Sequence, residues 1–140
     1  MIFQKDVHYN GIDKLIHQGL EYFNSDDIVN NGKPMLKVKE IDPFFLDFIK
    51  DNNLGTKISG IGIQAMRPGS DSAAGHLHSK ARGVYYLQAP EGAGDLSFPD
   101  LNITIKPHRE LFVVVPAVEN HAISKNTSDE IRIVLAFYIE

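Results

Sequence analysis

The chain has 140 residues, 43% of them hydrophobic and 23% charged, with a formal net charge of −4 and no cysteine. That length suits a single domain, 1–140, with a real core, and the lack of cysteine excludes disulfides, thiolate metal sites and cysteine-based catalysis. A negative balance without any Lys/Arg block to follow a phosphate backbone argues against nucleic acid as a partner. No apolar run reaches membrane-spanning length, and the N-terminal stretch lacks the charged-then-apolar pattern of a signal peptide. A cytoplasmic compartment without a membrane partner is therefore expected.

In chain order, the first apolar pattern is helical. Ile12, Leu15, Ile16, Leu20 and Phe23 recur at three- and four-residue intervals and form one stripe. A polar stretch from Asn24 to Pro34 reads as a loop. A second stripe follows at Ile41, Phe44, Phe45, Phe48 and Ile49, where Asp42 can cap the helix and Pro43 can open it. Near Gly55 the character changes. Short runs of β-branched and aromatic residues, parted by Gly, Pro, Asn and Asp, predict strands at Lys57–Arg67, Arg82–Gln88, Asp95–Phe98, Ile103–Lys106, Leu111–Val115, His121–Ser124 and Ile131–Tyr138. The expectation is a helical part, 1–54, packed outside a β-barrel or sandwich, 55–140.

Three of the six histidines stand in informative places. His76 and His78 close a glycine-bounded loop just before a strand pattern. Residues i and i+2 of a strand face the same side, so both imidazoles can point into a barrel mouth. His121 lies well downstream, after Val113-Val114-Val115-Pro116, where a barrel can fold it back beside the pair. Three protein ligands that leave positions open describe a catalytic metal site rather than a structural one. His8, His17 and His108 lack such a setting and read as surface residues.

Met66-Arg-Pro-Gly, His76-Leu-His78, Gly83-Val-Tyr-Tyr-Leu87, His121 and Arg132 together resemble the 2-oxoglutarate and iron(II)-dependent oxygenases, over roughly Ser59 to Tyr138. The resemblance implies a double-stranded β-helix, the jelly-roll or cupin-like barrel. It also implies that His76, His78 and His121 hold Fe(II), a place that Zn or Ni can take in purified protein. Arg132 would pair with the distal carboxylate of 2-oxoglutarate, assisted by a hydrogen bond from Tyr86. A guanidinium fork suits a carboxylate bidentately. One departure is plain. Most of these oxygenases carry Asp or Glu two residues after the first histidine, where this chain has His78, and the spacing of Asp71 does not match that role. Cupins frequently use three histidines, yet the glutamate that follows their pair is missing here, where Lys80, Ala81 and Arg82 stand.

Two enzyme readings follow. One is an oxidoreductase, a dioxygenase-like hydroxylase using Fe(II) and 2-oxoglutarate on a small-molecule or side-chain substrate. The other is a cupin that does not use 2-oxoglutarate: a three-histidine dioxygenase, an isomerase or a small-molecule binding protein. A metal-free module whose histidines merely line a pocket is a third. Open barrel edges of this kind often pair with a second copy, which makes a homodimer an expectation too.

Overall fold

The two stripes form helices where their spacing places them, α1 at Ile12–Phe23 and α2 at Pro43–Asp51. Asp42 caps α2. Its Oδ1 accepts the Phe44 N–H at 2.9 Å, while Pro43 fills a first-turn position whose N–H would have had no helical partner. A computed structural model describes residues 2–23, 35–69 and 80–140. The expected loop from Asn24 to Pro34 lies outside the described residues.

Among the described residues the strands are β1 (Gln4–Asp6), β2 (Met35–Lys37), β3 (Ile58–Met66), β4 (Ala81–Gln88), β5 (Leu96–Phe98), β6 (Ile103–Ile105), β7 (Leu111–Val115), β8 (Ala122–Ile123) and β9 (Arg132–Ile139). Seven of them match the strands expected after Gly55, within a residue or two at the ends. The other two, β1 and β2, fall in the stretch read as purely helical, and this corrects the expected division at Gly55. They are three-residue edge strands: β1 pairs with β7 and β2 with β3. Such short segments carry no periodic signal.

All pairings are antiparallel. They build a major sheet in the order β1-β7-β4-β9-β3-β2 and a minor sheet in the order β6-β5-β8. Strand alternation gives the major sheet two apolar faces. Ile133, Leu135, Phe137, Tyr85, Phe112 and Val114 pack beneath α1 and α2 with Ile12, Phe45 and Ile49. Val134, Tyr86, Val113 and Val115 face the other way and meet Leu96, Phe98 and Ile105 of the minor sheet. This is why β7 reads Leu-Phe-Val-Val-Val without a polar break: all five residues are buried, on alternating faces. Two facing antiparallel sheets with helices outside the larger one make the expected double-stranded β-helix.

Two glycines are required by local geometry. Gly60 sits at φ +60 where the β3–β9 register shifts between Ser59 and Gly62, a β-bulge. Gly83 of β4 lies under the helix-side aromatics, where an added Cβ would come within 2.6 Å of the Phe137 ring.

Candidate co-substrate and metal site

The space between the two sheets is apolar, and Arg132 projects a charge into it. Arg132 opens β9 on the same face as Val134, with only 7% of its surface exposed. Its guanidinium carbon lies 5.6 Å from the centroid of the Tyr86 ring, a cation–π arrangement. Its Nε is buried with no hydrogen-bond partner. Burial pushes the Arg132 pKa down, while charge attraction and hydrogen bonding with Tyr86 hold it up. Arginine remains charged at neutral pH even so. For Tyr86 burial dominates and raises the pKa, with Arg132 opposing. A buried cation with an unused donor is costly unless an anion meets it. The donor set fits a carboxylate, the group that the resemblance assigns to this position.

His121 stands between β7 and β8, at the border of the inter-sheet core. Its ring centroid lies 6.4 Å from that of Phe98, and its Nδ1 lies 3.4 Å from the Glu119 carbonyl oxygen. With the proton on Nδ1, that contact orients the ring and leaves Nε2 as the lone-pair donor, a familiar arrangement for a ligating imidazole. The preceding turn is held by the Glu119 N–H on the Pro116 carbonyl and by Asn120 Nδ2 donating to Asp100 Oδ2 at 3.0 Å. Glu119 Oε1 is buried without a hydrogen-bond partner. His76, His78 and the Asp71–Gly75 loop lie outside the described residues. Among the described residues no three His, Asp or Glu side chains are grouped to hold a metal ion. The structure thus places Arg132 against Tyr86 and His121 on the same core.

His8, His17 and His108 are surface residues, as expected. His17 pairs with Glu21 one helical turn on, His8 with Glu110 and His108 with Asp6.

The roles of two residues near the site escaped sequence reasoning, although both stand in the segments that carry the resemblance. Asn126 is completely buried. Its Nδ2 donates to the carbonyls of Met66 and Glu130, both at 2.9 Å, and its Oδ1 accepts the Ser128 N–H and hydroxyl. Its own carbonyl accepts the Gly69 N–H at 2.7 Å. It therefore clamps the end of β3 to the turn that leads from His121 to Arg132. The run Asn126-Thr-Ser-Asp129 signals a turn of this kind, but not its distant partner. The second residue is Arg82, on the site-facing side of β4. It looked like the polar start of a strand.

No family model matches the sequence, and no curated protein matches it. Solved structures do match the fold. A viral collagen prolyl hydroxylase from Paramecium Bursaria Chlorella virus-1, solved with 2-oxoglutarate, superposes with a TM-score of 0.71 at 18% identity, covering 98% of this chain and 94% of that one. A Pseudomonas putida prolyl-4-hydroxylase gives 0.71 at 12% identity, over 99% and 92%. HygX from Streptomyces hygroscopicus, with nickel and 2-oxoglutarate bound, gives 0.63 at 10% identity, over 98% and 81%. At these identities the likeness is one of fold. The chain has the double-stranded β-helix, and its structural neighbours are 2-oxoglutarate-dependent oxygenases.

Proposed function

We propose that this protein is a metal-dependent oxygenase of the 2-oxoglutarate type, acting as a hydroxylase. The observation that carries the reading is Arg132, a buried guanidinium with an unpartnered Nε, stacked on Tyr86 inside a fold shared with such enzymes. In this reading Arg132 binds the distal carboxylate of 2-oxoglutarate, and the Tyr86 hydroxyl orients the same group. The apolar inter-sheet core, including Phe98, Val113 and Val134, excludes water around that ion pair and so strengthens it. His121 would hold a divalent metal through Nε2, with His76 and His78 as its companions. Iron(II), once bound there with 2-oxoglutarate, supplies the activation of O₂ that hydroxylation needs.

The test is 2-oxoglutarate binding by titration calorimetry on the full chain loaded with Ni(II), a redox-inert stand-in. The parent should bind, and Arg132→Gln should weaken binding at least about 30-fold, in line with the roughly 2–5 kcal/mol expected when one member of a buried charge pair is truncated. A parent chain that takes up metal yet shows no 2-oxoglutarate affinity would falsify the oxygenase reading. It would leave the cupin reading standing, one that His78 in place of the usual carboxylate already favours.

A further inference from the structure

The face that carries Arg132 carries a second guanidinium. Arg82 lies on β4 in register with Tyr138 of β9 and Val115 of β7, two and four residues before the site-facing Val84 and Tyr86. Strand alternation therefore turns Arg82 toward the same interior. Its Cα lies toward the opposite end of the sheet from that of Arg132, and the Arg82 charge adds to the lowering of the Arg132 pKa that burial begins. Burial depresses the Arg82 pKa, and Tyr138 partly offsets this. Among the described residues Arg82 makes no ion pair: the carboxylates that do pair are taken by Lys80, Arg109 and three histidines. Val115, its neighbour on β7, is also the last strand residue before the turn that carries His121. Arg82 thus stands toward the His121 end of the core, and Arg132 toward the other.

We infer that Arg82 is a specificity-determining residue that receives a carboxylate on the substrate, so that the substrate is a small acid. The inference rests on the oxygenase reading, in which the distal carboxylate of 2-oxoglutarate already satisfies Arg132. Two like charges sharing an apolar face repel, and one bound carboxylate leaves the other cation unmatched. A substrate acid entering beside Arg82 would match it. A neutral substrate would leave it desolvated and alone, which gives discrimination by charge.

The experiment uses the full chain loaded with Zn(II), with and without saturating 2-oxoglutarate. The probes are N-acetylglycine and its uncharged counterpart N-acetylglycinamide. Binding is followed on the arginine Nε–Hε signals by ¹⁵N NMR. With 2-oxoglutarate present, the acid should shift the Arg82 signal saturably and the amide should not. Arg82→Gln should weaken acid binding about tenfold or more, and Arg82→Lys, which keeps the charge but not the fork, should weaken it less than Arg82→Gln does. Equal shifts from acid and amide overturn the inference, as do no shift from either, parent-like acid binding by Arg82→Gln, and displacement of the acid by 2-oxoglutarate. It also fails if Arg82→Gln loses 2-oxoglutarate affinity as Arg132→Gln does, since Arg82 then belongs to the co-substrate site. If the parent binds no 2-oxoglutarate, the oxygenase reading falls on its own. The acid titration without 2-oxoglutarate then still decides whether Arg82 receives a carboxylate.

Discussion

At the scale of single residues, the buried polar groups decide how the site is built. Asn126 uses all its side-chain hydrogen-bonding groups: both donated bonds end on carbonyls, and both accepted ones come from Ser128. Asn126→Asp keeps the shape but removes both donors, so two carbonyls would face a carboxylate. We expect a loss of about 2–6 kcal/mol, from roughly 1–3 kcal/mol for each of the two carbonyls left unsatisfied, read as a lowered denaturation midpoint. Asn126→Ala should cost a similar amount. Because the clamp joins β3 to the turn before Arg132, either change should also weaken 2-oxoglutarate binding if the oxygenase reading holds. The unusual place of Arg132 was legible from sequence for a simple reason. An arginine inside Ile131-Arg-Ile-Val-Leu-Ala-Phe137 contradicts its surroundings, and the structure shows it buried. Arg82 raised no such contradiction, following Lys80 at the edge of a strand pattern. Asn126 was opaque for another reason: one of its partners, the Met66 carbonyl, lies 60 residues away in sequence.

Among the elements, the packing of β4 against β7 and β9 turns on a missing side chain. Gly83 leaves room for the Phe112 and Phe137 rings, whose centroids lie 6.0 Å apart. In an exposed strand, Gly→Ala would stabilise by a few tenths to about 1 kcal/mol through the unfolded chain. Here the added methyl meets the Phe137 ring at 2.6 Å, and that ring is 1% exposed and cannot swing away. The sign therefore reverses. Gly83→Ala should destabilise by about 1–3 kcal/mol, the usual cost of overpacking, in a urea titration with unchanged slope. The elements best read from sequence were those with a dense local code. Strand β7 is a five-residue apolar run, and α2 starts on a cap and a proline. Strand β1 was unreadable because its three residues, Gln4, Lys5 and Asp6, are all exposed. Only hydrogen bonds to β7 make it a strand.

For the molecule as a whole, Tyr85 ties the N-terminal segment to the major sheet. Its hydroxyl donates to the Val7 carbonyl at 2.6 Å, and its ring packs edge-on against Phe45 of α2. Burial, aided by Glu110, raises its pKa from 10.0 to about 12. The raised value makes this contribution to stability fully present below pH 10 and progressively lost as pH rises through about 12. Tyr85→Phe should be less stable at neutral pH by about 0.5–1.5 kcal/mol, one hydrogen bond's worth. The gap to the parent should close between pH 10 and about 12, followed by thermal melts across that range. A constant gap would show that the hydroxyl does not titrate with folding. The sheet order itself sets a schedule. Strand β9, the most C-terminal of the sheet, lies in its middle: among the described residues, β3 and β2 on one side and β4, β7 and β1 on the other are joined by strand pairing only through it. Every earlier strand emerges from the ribosome before the strand that unites the two halves. The barrel therefore has to close after its other parts have been made, and the facing edges of β3, with its three isoleucines, and of β4, with Val84, Tyr85 and Tyr86, wait unpaired until then, a window in which chaperones would have something to hold.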